Sequence, residues 1–240
     1  MKVYAYACPV TTAHAAALRR SIAELVGSAA LCATVVGSGI AATRLTGDVG
    51  IQLLINAVAT VFILFVLITV LGPISGAHFN PVVTLADHAF GRRSLRELSA
   101  VAPYIVAQIV GCIAGSVLAN VMFEVPGVAW STTHRVTPGH LVAEIVATAG
   151  LVFVIFVLVR TGRAHLAAPT VAAYIGAAYF FTSSTSFANP AITLGRMFSD
   201  SFAGIAPASV GLFVCAQTVG AVIGYFGVRY LTRGFVASAV

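Results

Sequence analysis

Two short stretches of this chain decide its fold: Phe79-Asn80-Pro81-Val82-Val83-Thr84-Leu85 and Ala188-Asn189-Pro190-Ala191-Ile192-Thr193-Leu194. Each contains an Asn-Pro pair and follows a long apolar segment. Asn is a preferred helix N-cap and Pro is favoured at the first helical position, so each pair predicts the start of a helix. One such pair is often only an ordinary cap, but two copies in matching surroundings indicate a repeated device.

The helix after Asn80 can run to about Phe90, and about ten residues of helix rise only ~15 Å, half of a bilayer core. The stretch before it, Gly72-Pro73-Ile74-Ser75-Gly76, is rich in Gly and Pro and is expected to be irregular. Irregular backbone at membrane depth is tolerated when it is buried in protein or faces a water-filled cavity. These features predict a half-helix that enters the membrane from one side.

The composition makes lipid the solvent of this chain. Only 8% of its 240 residues are charged, whereas soluble domains carry about 25%. Six apolar segments are long enough to cross a bilayer, which takes about 20 helical residues; they lie at 21–42, 50–71, 99–123, 140–159, 166–183 and 204–228. The sequence therefore predicts an all-α membrane protein with six transmembrane helices and two re-entrant half-helices.

An internal repeat organises the single domain, residues 1–240. Ala23-Glu24-Leu25-Val26 resembles Ala143-Glu144-Ile145-Val146, and both Asn-Pro stretches and the Gln108 and Gln217 regions recur in the same order. Each copy has three spans, so the second enters the membrane from the opposite face. We expect inverted repeats at about 18–123 and 139–231, joined by a linker at about 124–138.

The inverted repeat brings the two half-helix N-termini together near the midplane. Each N-terminus carries about half a positive charge, which repels cations, protons included. Asn amides and loop carbonyls there suit neutral solutes that form hydrogen bonds. The predicted midplane residues are Asn80, Pro81, Val82, Asn189, Pro190 and Ala191.

The net charge of +6 is better explained by membrane topology than by nucleic-acid binding, because the basic residues lie outside the apolar segments or at their ends. One side of the predicted topology holds Lys2, Arg19, Arg20, Arg92, Arg93, Arg96, Arg160, Arg163, Arg229 and Arg233. The other side holds Arg44, Arg135 and Arg196. The positive-inside rule therefore predicts cytoplasmic termini and a cytoplasmic loop at Arg92–Arg96.

At these residues the chain resembles the major intrinsic protein family, the aquaporins and aquaglyceroporins. The stretch Ser75-Gly76-Ala77-His78-Phe79-Asn80-Pro81 is similar to the family's first signature. Asn189-Pro190-Ala191 matches the second motif fully, whereas Asn80-Pro81-Val82 departs at its third residue. The resemblance extends from Glu24 to Gly224 and implies a homotetramer in the inner (plasma) membrane, with one pore in each protomer.

The resemblance also implies that Glu24 and Glu144 hold the backbone of the re-entrant loops. A buried carboxylate is costly unless it accepts hydrogen bonds, and unwound loops have amides to offer. A proton relay that couples a secondary transporter is the alternative for this pair. His78 is either a pore-lining residue or a packed loop anchor.

Water channels of this family narrow at their outer mouth, where one of four residues is an arginine three positions after the second Asn. Here that position is Ile192, and Arg196 lies four positions further along. Ungapped spacing from the motifs places the other three residues at Thr60, Ala177 and Ser186. All four are uncharged and non-aromatic, which predicts a wider and less polar aperture, and it leaves the role of Arg196 open.

The second motif, with its following Arg196 and Asp200, is similar to bacterial channels linked to arsenic resistance. The predicted function is a passive channel for small uncharged solutes: glycerol-like polyols, neutral metalloid hydroxides such as arsenous acid, and water. A strict water channel, an ion-coupled secondary transporter and a non-conducting junction protein are the alternatives. The sequence contains no nucleophile–base pair, metal-ligand set or cofactor motif, so we expect no enzyme activity, metal or cofactor.

Overall fold

The computed structural model describes residues 9–91 and 98–234, and all regular structure within these ranges is helical. The helices are α1 (Pro9–Leu45), α2 (Val49–Ser75), α3 (Pro81–Ala89), α4 (Leu98–Met122), α5 (Pro138–Arg160), α6 (Ala167–Phe181), α7 (Pro190–Arg196) and α8 (Pro207–Leu231). A 3₁₀ turn at Ala164–Leu166 precedes α6. The predicted loop at Arg92–Arg96 lies outside the described residues.

Six of these helices, namely α1, α2, α4, α5, α6 and α8, are long and apolar enough to cross a membrane. The other two, α3 with nine residues and α7 with seven, are too short to do so. The predicted fold class, six spans with two half-helices, is confirmed, and the chain is a multi-pass membrane protein.

Both half-helices begin where the sequence predicts. The Asn80 side chain accepts a hydrogen bond from the Val82 N–H at 3.1 Å. The Asn189 side chain accepts from the Ala191 N–H at 2.9 Å. In both cases Pro occupies the first helical turn, where its missing N–H costs nothing.

The irregular segment before Asn80 is shorter than expected. We predicted that 72–76 would be irregular, but α2 continues through Ser75 with Pro73 inside it. A proline inside a helix removes one N–H from the helical ladder and its ring crowds the preceding turn, which can kink a helix without ending it; Pro73 itself is exposed. The helix ends at Gly76, whose φ of 96° lies in the left-handed region and whose N–H bonds to the Gly72 carbonyl.

The long helices pack closely in two pairs, α1 against α4 and α5 against α8. Gly111 and Gly115 permit the first contact, because a Cβ there would overlap the carbonyls of Leu25 and Ala29. The matching glycines of α8 have the same relation to carbonyls of α5. We call the side of the molecule that carries residues 123–137 the linker face, and the side where α5 and α8 end the termini face.

Candidate functional site

The two loops that precede the half-helices meet in the middle of the molecule. The Asn80 Nδ2 donates to the Ala188 carbonyl at 2.8 Å, and the Asn189 Nδ2 donates to the Phe79 carbonyl at 2.7 Å. Each Asn therefore caps its own helix and also binds the opposite loop. This reciprocal pairing places the positive ends of α3 and α7 next to each other.

The loop backbone is strained at matching positions. Ala77 and Phe79 have φ of 51° and 49°, and Ser186 and Ala188, 109 residues later, have φ of 50° and 47°. Non-glycine residues in this region cost about 1–3 kcal/mol each and persist only where the surroundings hold them.

Two fully buried carboxylates hold these loops. Glu24 accepts hydrogen bonds from the Ser75 hydroxyl, the His78 and Phe79 N–H groups and the Gln108 amide, all at 2.6–3.0 Å. Glu144 repeats the arrangement at 2.6–2.9 Å, with donors from Ser184, Phe187, Ala188 and Gln217. Such charge-assisted bonds repay part of the cost of burying each carboxylate. Neither glutamate reaches the cavity described next.

A cavity of about 470 Å³ runs from the 3₁₀ turn at the termini face, past Asn80 and Asn189, toward the linker face. Its apolar wall includes Leu31, Val35, Leu64, Val83, Leu151, Ile155, Val171, Ile175 and Ile192. The loop residues from Gly76 to Phe79 and from Ser186 to Ala188 line the cavity as well. Pro81, Val82, Pro190 and Ala191 are buried behind this surface rather than on it.

Three of the four residues carried over as a filter line the cavity, namely Thr60, Ser186 and Ile192. Ala177 does not: it lies on an exposed face of α6, away from the cavity. Ile175 and Tyr179, four residues apart and thus on one helical face, line the cavity instead. The position in α6 was obtained by counting back from Asn189 without gaps. Such a count ignores the irregular loop of residues 182–189, so it selects the wrong residue of α6.

Tyr179 contributes an aromatic ring and an oriented hydroxyl to the linker-facing end of the cavity. The Thr60 hydroxyl donates its single hydrogen to the Asn56 carbonyl at 2.8 Å. The contact of 3.0 Å between the Thr60 and Tyr179 oxygens must therefore use the Tyr179 hydrogen. The Tyr179 oxygen is left with lone pairs only, so it can accept but not donate. The buried Ser186 hydroxyl on the same wall has no hydrogen-bond partner in the described ranges.

Arg196 also lines this end of the cavity and is only 3% exposed. Its guanidinium carbon lies 3.5 Å from the centre of the Phe187 ring, and its Nε donates to the Ala203 carbonyl. Its two terminal nitrogens have no acceptor among residues 9–91 and 98–234. The expectation of an uncharged, non-aromatic aperture is therefore wrong: it holds for Thr60, Ser186 and Ile192 but not for Tyr179 and Arg196.

A second arginine supports the first from the linker. The Arg135 guanidinium donates to the Gly204 and Phe202 carbonyls at 2.7 and 2.9 Å and lies 5.2 Å from the Phe187 ring centre. Burial above all, and then the neighbouring Arg196 charge, lower the pKa of Arg135 to about 9. The group still carries most of its charge at neutral pH. The residues after α7 thus supply the carbonyls that hold two adjacent cations.

The termini-facing end of the cavity has a different pair of side chains. His78 lines it, with its Nδ1 3.1 Å from the Thr84 hydroxyl and its Nε2 3.9 Å from an Asp87 carboxylate oxygen. Asp87 is 1% exposed and lines the cavity as well. The sequence pattern did not single out Asp87, because it lies in a half-helix rather than in a long span. Its position seven residues after Asn80, the same as that of Arg196 after Asn189, is the signal that could have identified it.

Comparison with known proteins gives one family and several relatives. The family described as "Major intrinsic protein" matches residues 11–186. The chain is 46% identical to "Aquaglyceroporin AqpS" of Rhizobium meliloti (strain 1021), over 90% of this chain and 91% of that protein. It is 30% identical to "Aquaporin Z" of Brucella melitensis biotype 1, over 86% of this chain and 95% of that protein. The solved structure of the aquaglyceroporin from Plasmodium falciparum shares the fold, with a TM-score of 0.69 and 20% identity over 91% of this chain and 96% of that one.

Proposed function

This chain belongs to the major intrinsic protein family, and from that premise we propose that its cavity selects small neutral solutes with several hydroxyl groups. The family assignment makes the chain a channel for water, glycerol and other small solutes rather than an ion-coupled transporter. Within that range, glycerol and the neutral hydroxides of boron, silicon and arsenic fit the cavity best.

The amphipathic wall of the cavity carries this proposal. The lining combines aliphatic residues, from Val35 and Leu64 to Ile192, with the two loops and both Asn residues. A polyol has a matching combination of carbon atoms and hydroxyl groups. Ile192 extends the aliphatic lining to the linker-facing end, where the family's water channels have arginine.

Hydroxyl groups find both kinds of hydrogen-bonding partner along this path. Each Asn amide has two donor hydrogens and uses one for the opposite loop, so one remains for solute. At the linker-facing end the Tyr179 oxygen can accept, and the terminal nitrogens of Arg196 can donate. A hydroxyl that donates to Tyr179 and accepts from Arg196 recovers what it loses on leaving water.

Ion exclusion follows from the same geometry. Cations and protons meet the positive ends of α3 and α7 at the midplane and the Arg196 charge at the linker-facing end. We assign the midplane role to Asn80 and Asn189, the selecting role to Thr60, Tyr179, Ser186, Ile192 and Arg196, and loop support to Glu24, Glu144 and His78. We also propose a homotetramer in the inner (plasma) membrane, with both termini in the cytoplasm.

A strict water channel is the second candidate, and the pairing of Tyr179 with Arg196 favours it. An aromatic ring and a guanidinium at one level of the cavity leave less room than the small residues that the sequence predicted. Stopped-flow measurements on proteoliposomes decide between the two candidates. We expect glycerol and arsenous acid permeability at least about tenfold above that of protein-free vesicles, as open filters allow. Rapid water flux without glycerol flux would establish the strict water channel instead.

Membrane orientation needs its own test. A cysteine at Arg163, on the termini face, should react with a membrane-impermeant maleimide only after permeabilisation of the cells. The matched site is His134, which is exposed in the linker. A cysteine there should react in intact cells. Reversed reactivity at the two sites would invert the proposed topology.

A further inference from the structure

The two half-helices carry opposite charges at equivalent positions. Asp87 lies seven residues after Asn80, and Arg196 lies seven residues after Asn189. Each side chain lines the cavity and lies close to the residue two positions before its Asn, His78 in one case and Phe187 in the other. The negative group faces the termini-facing end of the cavity, and the positive group faces the linker-facing end.

The charges along the cavity are otherwise positive. The N-termini of α3 and α7 point into it near the midplane, and Arg196 lines it further along. Glu24 and Glu144 are fully buried behind the loops, and their oxygens are taken up by loop and glutamine donors. Within residues 9–91 and 98–234, Asp87 is the single carboxylate on the cavity wall. Pores lined by cationic groups alone are selective for anions.

We propose that Asp87 is the residue that excludes small anions from this channel. The inference rests on the proposed function as a neutral-solute channel and adds a residue to its selectivity. Without Asp87, the midplane dipoles and Arg196 would make a path that repels cations but attracts chloride, nitrate or the conjugate base of a weak acid. With it, an ion of either sign meets a like charge at one end of the cavity.

The helix dipole does not favour a carboxylate at the position of Asp87. It lies in the last turn of α3, where the negative end of the helix dipole disfavours a carboxylate. Arg196, at the end of α7, has the favourable sign for that position.

The groups that face Asp87 define the conditions under which its charge acts. The His78 Nε2 is 3.9 Å from the carboxylate, the Tyr104 hydroxyl is close enough to interact electrostatically, and His165 lines the same end of the cavity. A protonated His78 would offset the charge of Asp87. Anion flux is therefore compared at pH about 8.5, well above the ordinary imidazole pKa of about 6.5.

The experiment uses the full chain in proteoliposomes that contain a chloride-quenched dye. An inward potassium chloride gradient is applied with valinomycin, so that the anion limits the flux. We expect the parent protein to match protein-free vesicles, and Asp87→Asn to raise chloride entry by about tenfold or more, because a unit charge a few ångströms from an ion's path shifts its energy by several RT. Asp87→Glu, which keeps the charge, should stay with the parent.

Glycerol flux in the same vesicles separates the two levels of inference. A parent that passes no glycerol contradicts the proposed function. A parent and an Asp87→Asn variant that both pass glycerol, with no rise in chloride entry in the variant, overturn the role of Asp87. If Asp87→Asn yields no folded channel, chloride and glycerol fluxes are measured for Asp87→Ser instead, and the same two outcomes apply. A parent that already conducts chloride also overturns the proposal.

Discussion

The α3 half and the α7 half of the molecule share one scaffold but differ in the side chains that face the cavity. In both halves a buried glutamate, a serine, a glutamine and a threonine hold the loop, and an Asn binds the opposite loop. The aromatic neighbours differ at equivalent positions: His78 packs near Tyr104, whereas Phe187 packs near Phe213.

The difference teaches which positions the fold requires and which remain available for selectivity. Positions that bond to loop backbone are the same in both halves, because any change would leave a buried donor or acceptor unpaired. The cavity-lining residue seven positions after each Asn differs instead: one half has acidic Asp87 beside His78, and the other has basic Arg196 stacked on Phe187. The paired half-helices therefore give a symmetric framework with an asymmetric lining.

The largest expected effect comes from breaking the shared scaffold. Replacing Glu24 or Glu144 by Gln removes one acceptor oxygen and leaves two buried donors unpaired. At about 1–3 kcal/mol for each unpaired group, we expect the free energy of unfolding to fall by about 2–6 kcal/mol. Thermal unfolding of the detergent-solubilised protein measures this. We expect both variants to lose a similar amount of stability. If one variant were as stable as the parent, the two glutamates would not be equivalent.

The next effect concerns the midplane. Asn80→Asp and Asn189→Asp each put a carboxylate where the two helix N-termini repel cations. We expect cation or proton leak to rise by about tenfold or more in each variant, because the added charge acts within a few ångströms of the path. Pyranine-loaded proteoliposomes report the proton leak. Asn→Ser variants control for the lost amide, and an unchanged leak in both Asp variants would contradict the midplane barrier.

A smaller effect is expected where the lining diverges from the family's water channels. Ile192→Arg adds a second guanidinium one helical turn before Arg196, on the same face of α7. The extra charge and length should lower glycerol permeability by about tenfold and water permeability by less than about threefold, since water is smaller and still fits a narrowed polar mouth. Ile192→Leu is the matched control. Equal slowing of both solutes would mean that Tyr179 and Arg196 already set the aperture.

The helices and their caps could be predicted from the sequence because each depends on local chemistry. The residue types of Asn80 and Asn189 predict where the half-helices begin, and the apolar composition predicts the long spans. Gly76 rather than Gly72 ends α2, because a proline can either kink a helix or end it, and the left-handed conformation that stops this helix is adopted at Gly76. Residue types alone do not decide between these two outcomes.

The cavity lining was predictable only in part, because it depends on contacts between distant segments. Thr60, Ser186 and Ile192 were found by counting from the motifs, and the same count failed at Ala177, beyond an irregular loop. Arg196 reaches the cavity because its long side chain stacks on Phe187 and bonds to the Ala203 carbonyl. No periodicity rule gives the direction of such a side chain.

The smallest expected effect is at the third residue of the first motif, where Val82 stands in place of the Ala found at 191. Because the two residues occupy equivalent places, the mismatch invites the interpretation that Val82 tunes selectivity. The structure argues otherwise: Val82 is 3% exposed, belongs to the packed core and does not line the cavity.

Val82→Ala, which restores the full motif, should lower the free energy of unfolding by about 1–2 kcal/mol through the space it leaves. The reverse change, Ala191→Val, should cost about 1–3 kcal/mol by overfilling a fully buried site. Thermal unfolding measures both costs, and the ratio of glycerol to water permeability should stay that of the parent in both variants. A shifted ratio in Val82→Ala would place this residue on the solute path and would extend the asymmetry of the lining into the motif itself.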